Sequence, residues 1–548
     1  MKLVRLFHTV KYLKPVQVYG RLWFKLYKPR PDISSAPPTS VIKGDWVKPC
    51  VKSSSLLYPY CFRFLNQEHE LNSVRDWNNP KWGKLWLYNL HYFDELQAFD
   101  AENKKEVYLD LIEKWIEENP PGMGNGWEPY PTSLRIVNWI KWALAGNTLS
   151  DNILHSLAVQ IRYLYKKPEF HLLGNHVFAN AKALVFSGLF FDGNEALLWL
   201  DKGLNILSKQ ISEQILDDGG HFERSPMYHA IILEDLLDLI NITNAFFGMI
   251  PESCKEVWIE KLEMMLFALN KQLHPDGEIA FFNDAAIGVA ARPDMIMKYA
   301  SRVGISLDEE PDRSVGCLPD TGYYSVRRGK WFLIVDAAAI GPDYLPGHAH
   351  ADTLSFELSR GKQRVLVNSG TSCYGISQER LRQRKTPAHN TLSVDGEDSS
   401  EVWSGFRVAR RARILNREIK IFHEKDVICA AHNGFERLKS VGLHQRTWAF
   451  SDDELVISDS VEGSGTHCVR VFFHFHPSLH VRTVVDEWHI YDADEKLIVK
   501  MVLDKTVNVF LQDSTYHPEF CTSLPNQVVL GKVEAELPLN ISTRLMFV

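Results

Sequence analysis

The sequence predicts two architectures in series: successive helical hairpins, as in an α/α toroid, followed by a β-sandwich. Three observations carry this. Apolar residues recur at helical spacing for some two hundred residues before about residue 300. After about residue 315 the period switches to two, in short runs separated by Gly and Asp turns. Just past the switch stands Pro346-Gly347-His348-Ala349-His350-Ala351-Asp352. Two histidines and an aspartate at a change of architecture suggest a site built by both parts. At 548 residues the chain exceeds one ordinary core. The expected divisions are a basic segment and connector over 1–75, a toroid over 76–315 and a sandwich over 316–548.

Taken in order, residues 1–30 carry eight Lys or Arg and no acid before Asp32. Leu3, Leu6, Phe7, Val10 and Leu13 form an amphipathic stripe that can dock on the protein body or rest peripherally on an anionic membrane. No continuous apolar core or small-residue cleavage site follows Lys2 and Arg5. No signal peptide is therefore expected, and the cytoplasm and the periplasm both stay open. No apolar run approaches the ~20 residues of a membrane span. Pro31, Pro37 and Pro38 with nearby serines mark 31–75 as irregular. Residues 82–93 are too aromatic for a plain surface helix and read as buried or groove-lining. Helical faces follow at 107–116 and 134–144, then at about 152–166, 176–190, 195–215, 229–247, 256–273 and 291–302. They are punctuated by Pro120-Pro121-Gly122, Asp218-Gly219-Gly220 and Pro275-Asp276-Gly277. No fixed-length repeat is present, so unequal hairpins fit better than a solenoid. Strands are expected at 323–326, 331–335, 354–358, 364–367, 391–394, 455–457, 469–475 and 507–511.

Composition narrows the function. Hydrophobic content of 45% and charged content of 24% are globular values. A net charge of −7 argues against a general nucleic-acid binder but leaves room for a local basic cleft. The eight cysteines are scattered with no Cys-x-x-Cys pair, which gives neither a zinc knuckle nor a dense disulfide framework. Fifteen Trp and nineteen Tyr supply the flat rings that sugar clefts and cores both use.

Four further stretches can carry chemistry. Asn175 and His176 open a helical run, where free amides and partial positive charge favour anions, unless Asn175 is simply an N-cap. Gly219-Gly220-His221-Phe222-Glu223-Arg224-Ser225-Pro226-Met227-Tyr228-His229 holds more glycine and ionisable groups than a connector needs. Tyr228 there can give or take a proton. Trp127 and Glu128, with Arg135 beyond them, offer a stacking ring and a carboxylate partner, or an ordinary packed turn. Arg380, Arg382, Arg384 and Lys385 lead into His389, a reasonable third partner for His348 and His350.

In this order, these stretches resemble the heparinase II/III family of polysaccharide lyases. The match lies in Asn175-His176, Tyr228, the Gly347-to-Asp352 run, Asn368-Ser369-Gly370-Thr371 and Ala388-His389-Asn390-Thr391. The resemblance implies an incomplete α/α toroid packed on an antiparallel β-sandwich, with the cleft between them. It also implies β-elimination at a uronic acid in an acidic polysaccharide. In that reading Asn175, helped by His176 or His348, meets the uronate carboxylate, and Tyr228 beside His348 transfers protons. Trp127, Glu128, Arg135, Arg224 and Arg384 are the candidate substrate contacts. The family also implies a structural divalent metal, usually zinc. His350 and His389 match two ligands, and Asn368 stands where an aspartate is common, although a neutral amide is a weaker zinc donor. Similar sequences resemble proteins of bacterial surface-polysaccharide assembly. The alternatives are a metal-assisted glycan hydrolase or modifying enzyme, with water at the His350/His389 metal, and a glycan-binding protein without turnover.

Overall fold

The computed structural model describes residues 2–305 and 315–548. Among them lie twelve α-helices: α1 (Lys2–Val10), α2 (Pro15–Leu26), α3 (Lys84–Leu90), α4 (Lys105–Glu118), α5 (Pro129–Leu144), α6 (Asp151–Lys166), α7 (Gly174–Phe190), α8 (Asn194–Gln214), α9 (Pro226–Ala245), α10 (Glu252–Lys271), α11 (Pro293–Arg302) and α12 (Gln378–Arg384). Eleven precede the first strand of the β-rich part, Val315–Leu318, and α12 alone interrupts the strands. The switch of period thus marks a real change of architecture.

Within the toroid, inner and outer helices differ in composition. Every residue of α7 except His176 is buried, as its almost wholly apolar sequence demands. α8 is amphipathic and buries Ala196, Trp199, Leu200, Gly203, Ile206 and Leu207 along one face. It approaches α7 closely. A Cβ at Gly203 would stand 2.8 Å from Val185 Cγ2 and 2.9 Å from the Val185 amide nitrogen, so only glycine fits there. The centre is not purely apolar. Lys182 of α7 reaches Asp235 at 2.6 Å and Asp238 at 2.5 Å on α9, and Lys141 of α5 also reaches Asp238 at 2.5 Å. These buried pairs tie the inner helices in one register, because removing one partner would strand a charge in low dielectric.

The expectation of irregular chain over 31–75 is overturned at its end. Leu56–Tyr58, Cys61–Phe64 and Gln67–Glu70 form a three-stranded antiparallel sheet. Its inner side packs Phe64 edge-on to Trp86 of α3 at 5.2 Å. The hairpin turn uses Leu65 and Asn66, both at positive φ, rather than the Asn-Gly that makes such turns visible in sequence.

The β-rich part is antiparallel throughout its named strands. A five-stranded meander runs Val315–Leu318, Tyr323–Arg328, Trp331–Asp336, Phe356–Arg360 and Gln363–Leu366. A bridge from Leu366 to Phe475 joins it to a four-stranded sheet containing Leu392–Val394 and Thr466–His474. An eight-stranded sheet opens at Ile414–Ile421 and ends at His480–Val484. Phe356, Leu392, Trp448, Ile457 and Phe473, drawn from all three sheets, share one core. The sandwich is therefore closed by side chains of alternating strands.

One toroid segment crosses into this half. Between α10 and α11, Asp284 N–H donates to the His348 carbonyl at 2.9 Å, and Ile287 N–H donates to the Pro518 carbonyl at 2.7 Å. That crossing places an aspartate of the helical half beneath the histidine loop of the β half.

Candidate active site

Two helix starts and the histidine loop converge. At the first, Gly174 has φ +57°, and a Cβ on it would lie 2.7 Å from Leu345 Cδ2 and 2.8 Å from Glu223 Oε1. Glycine thus lets the α7 N-terminus, Glu223 and the loop before His348 meet. Leu173 occupies the N-cap position, so Asn175 lies in the first turn and is not the cap. His176 accompanies it, with its ring 4.5 Å from that of Tyr130 and its Nδ1 3.0 Å from Glu169 Oε2. Burial opposes the charged imidazole, but the Glu169 carboxylate outweighs it and raises His176 above its ordinary value. The α7 start therefore offers an anion first-turn amides and an imidazole biased toward its charged form.

At the second start, Ser225 caps α9 by accepting from the Tyr228 amide at 3.2 Å. The Tyr228 ring lies 4.0 Å from the His348 ring, and its hydroxyl is 3.1 Å from that of Tyr374. Burial pushes Tyr228 well above its ordinary value, reinforced by Tyr374, Asp284 and Glu223. Cationic lowering of its pKa, the other outcome open to a tyrosine, is not what surrounds it. Near neutral pH it is a phenol with a proton to give.

Asp284 is the hub. It is wholly buried, and its oxygens accept from His348 Nδ1 at 2.8 Å, His350 Nε2 at 2.8 Å and both terminal nitrogens of Arg380. Burial alone would raise it, but the Arg380 charge and the two histidine donors hold it well below the usual carboxylate range. An anionic acceptor fixes tautomers. It leaves His348 Nε2 as the nitrogen facing outward, 3.7 Å from Glu223 Oε2. Glu223 is itself buried with neither oxygen hydrogen-bonded, and burial raises it despite His348 and His176 nearby.

Behind His348 lies a set of metal-type donors. With Nε2 on Asp284, His350 Nδ1 is buried without a partner, as are both nitrogens of His389. One donor atom each from His350, Asp352 and His389 lie within 4.8 Å of one another, all buried. Burial pulls His350 down to about 4 and His389 well below its ordinary value, so both present lone pairs. Two imidazoles and a carboxylate fit zinc. Asn368, the donor expected from the sequence, is engaged within the protein. Its carbonyl oxygen accepts from the Asn390 amide at 3.1 Å and its nitrogen faces Ser355 Oγ at 3.4 Å, so it braces the segment after His389.

The catalytic candidates Asn175, His176, Tyr228 and His348 thus come together, whereas the expected substrate contacts do not. Trp127 is buried against Trp115 and Tyr163, with centroids 6.0 and 5.6 Å away, and donates to the Asn119 carbonyl. Arg135 has no exposure, lies 3.8 Å over the Trp115 ring and donates to Gln160 and the His91 carbonyl. Arg224 is spent on the carbonyls of Ala339, Ile340 and Asp320. Arg384 is buried and clamps the Ala349 carbonyl through Nε at 3.0 Å and Nη2 at 2.8 Å, so it shapes the histidine loop from behind. In each case the guanidinium or indole found its acceptor in the protein. Glu128 pairs with Lys84 and accepts from Tyr88 at the rim, near enough to His176 to favour its charge. Sequence reasoning overlooked Asp284, Tyr374 and Glu169, and it named Glu223 and Arg380 within its stretches without giving either a role. For Asp284 a signal existed: Asn283-Asp284 is a polar pair between Phe281-Phe282 and Ala285-Ala286.

Comparison with known proteins agrees with this fold. The heparinase II/III N-terminus model matches residues 89–303, and the heparinase II/III-like C-terminal model matches 310–536. A heparin-sulfate lyase of Bacteroides stercoris is 24% identical over 337 residues, 56% of this chain and 48% of that protein. The chain thus spans about half the length of such curated relatives. FtsZ-localized protein C of Caulobacter vibrioides is 24% identical over 494 residues, 84% of this chain and 82% of that protein. Among solved structures, heparinase III superposes with a TM-score of 0.67 at 18% identity, covering 85% of this chain and 76% of that one.

Proposed function

The chain belongs to the heparinase II/III family, and from that premise we propose that it cleaves an acidic, uronic-acid-containing polysaccharide by β-elimination in the cleft between its two halves. The observation that carries the reading is the close, tilted packing of the Tyr228 ring on His348 at 4.0 Å, with His348 Nδ1 held by Asp284, beside the α7 N-terminus. The uronate carboxylate sits at Asn175 and His176, where the charged imidazole and the helix start stabilise the negative charge that grows as C5 loses its proton. His348 Nε2 takes the C5 proton. The C4–O bond breaks, a C4–C5 double bond forms, and Tyr228 gives its proton to the departing oxygen. The Tyr374 hydroxyl, at 3.1 Å, orients the Tyr228 hydroxyl for that transfer.

His350, Asp352 and His389 would hold a divalent metal, zinc by the chemistry of the donors. Its charge would supply structural rigidity behind the histidine loop. All three residues are buried, at 0, 2 and 1% exposure, which supports a structural role for such a metal and weighs against the metal-assisted hydrolase. The test is a panel of uronate polysaccharides followed for the ultraviolet absorbance of an unsaturated product. Chain cleavage with no unsaturated product would favour hydrolysis, and binding without cleavage would favour a glycan-binding protein. Heparan-like glycans belong in the panel because relatives are named for heparin sulfate, alongside capsule-type acidic glycans.

A further inference from the structure

We propose that α1 and α2 form a docking face for an anionic lipid bilayer, so that the protein is a peripheral membrane protein with its cleft rim held at the membrane surface. The two helices lie on the molecule with their faces reversed relative to ordinary surface helices. Their inward contacts are polar or aromatic. Trp403 Nε1 donates to Thr9 Oγ1 at 3.1 Å, Lys14 pairs with Glu213, and buried Gln17 donates to the Tyr344 carbonyl at 3.0 Å. The apolar stripes face out. Leu3 and Phe7 of α1 are 82 and 64% exposed, and Leu22, Trp23 and Leu26 of α2 are 63, 62 and 80% exposed. Spacings of three and four residues line them up on one side of each helix. Apolar stripes this exposed on a folded protein mark a surface that is covered by something else.

The charge identifies the cover. Residues 1–31 carry eight Lys or Arg and no Asp or Glu, in a chain whose net charge is −7. Lys11, Arg21, Lys25, Lys28 and Arg30 are exposed around the stripes. Aromatic and aliphatic side chains ringed by cations suit the headgroup boundary of an anionic bilayer. A second copy meeting this face with its own would bring two sets of eight cations together, which disfavours that occupant. Among the described residues no helix is long and apolar enough to cross a membrane. At nine and twelve residues, α1 and α2 are well short of the ~20 residues of a membrane span. The anchor is coupled to the site: Tyr344, which Gln17 holds, lies on the loop leading to His348. The proposal does not depend on the assignment of turnover.

The test is co-sedimentation of the full chain with phosphatidylcholine vesicles, with and without phosphatidylglycerol. The chain is expected to pellet with the anionic vesicles, to stay largely in solution with the neutral ones, and to be released by salt. Leu22→Glu with Trp23→Glu should lower partition about tenfold or more, as should Phe7→Glu alone, with unfolding midpoints and turnover of soluble glycan unchanged. A chain that stays in the supernatant with anionic vesicles would overturn the proposal. So would pelleting that both variants leave intact. A dimer that Leu22→Glu/Trp23→Glu dissociates, without vesicle binding, would assign the face to a second copy instead.

Discussion

Asp284→Asn tests whether one carboxylate holds the cleft together. The substitution keeps shape and volume but removes the charge and one of two accepting oxygens. In the wild type, Oδ1 accepts from His350 and Arg380 Nη1, and Oδ2 accepts from His348 and Arg380 Nη2. An asparagine can satisfy only one of those pairs and points an N–H at the other. Arg380 has no exposed side-chain surface, and its remaining bond is Nε to the Gly405 carbonyl at 3.1 Å. Breaking a buried pair from one side costs about 3–5 kcal/mol, or roughly two to almost four decades in the folding equilibrium at about 1.4 kcal/mol per decade. Urea unfolding followed by tryptophan fluorescence reads this as a fall in midpoint at unchanged slope. Adding Arg380→Met should restore part of the stability, since the stranded guanidinium is gone. It should not restore turnover, because His348 has still lost the acceptor that fixes its tautomer. An Asp284→Asn protein with wild-type midpoint and wild-type turnover would refute both the hub and the base assigned to His348.

Three other outcomes are expected. Tyr228→Phe keeps the packing on His348 and removes only the hydroxyl, so kcat should fall about 10²-fold or more with KM little changed; a wild-type rate would move the acid role to another group. Purified protein should carry zinc by elemental analysis, and His350→Ala/His389→Ala should lose it; equal metal in both would remove these residues as ligands. Because Glu169 raises His176, the charged imidazole is present below its folded pKa and lost as pH rises through it. Affinity for an anionic glycan, measured by calorimetry, should therefore weaken on the alkaline side. Glu169→Gln should shift that weakening to lower pH, and an unshifted profile would show that His176 does not meet the carboxylate.

Periodicity made the fold legible because burial on one side imposes it. α6 and α10 follow their apolar spacing, and α7 begins two residues before the sequence reading put it because Leu173 and Gly174, both at positive φ, shape its start. The hairpin of Cys61–Phe64 with Gln67–Glu70 escaped because its Leu65-Asn66 turn lacks the usual Asn-Gly. At the site, Tyr228, His348 and Asn175 were legible through the order of short motifs. Asp284 was not, since its meaning lies in contacts 64 and 96 residues away. The arginines misled for a related reason. Sequence shows that a guanidinium needs acceptors but not whose they are, and Arg135, Arg224 and Arg384 found theirs on backbone carbonyls and a glutamine.

The crossing of Asp284 into the β half makes the two halves obligate companions. A helical half produced alone would expose a carboxylate evolved to face a guanidinium and two imidazoles. A β half alone would fold around Arg380 with no counter-charge. Chimaeras between relatives should therefore succeed or fail according to whether the segment around Asp284 travels with the loop of His348 and His350 and with α12. A crossover placed at the apparent boundary near residue 315 cuts that circuit, while one that transfers residues 280–287 with the β half keeps it whole.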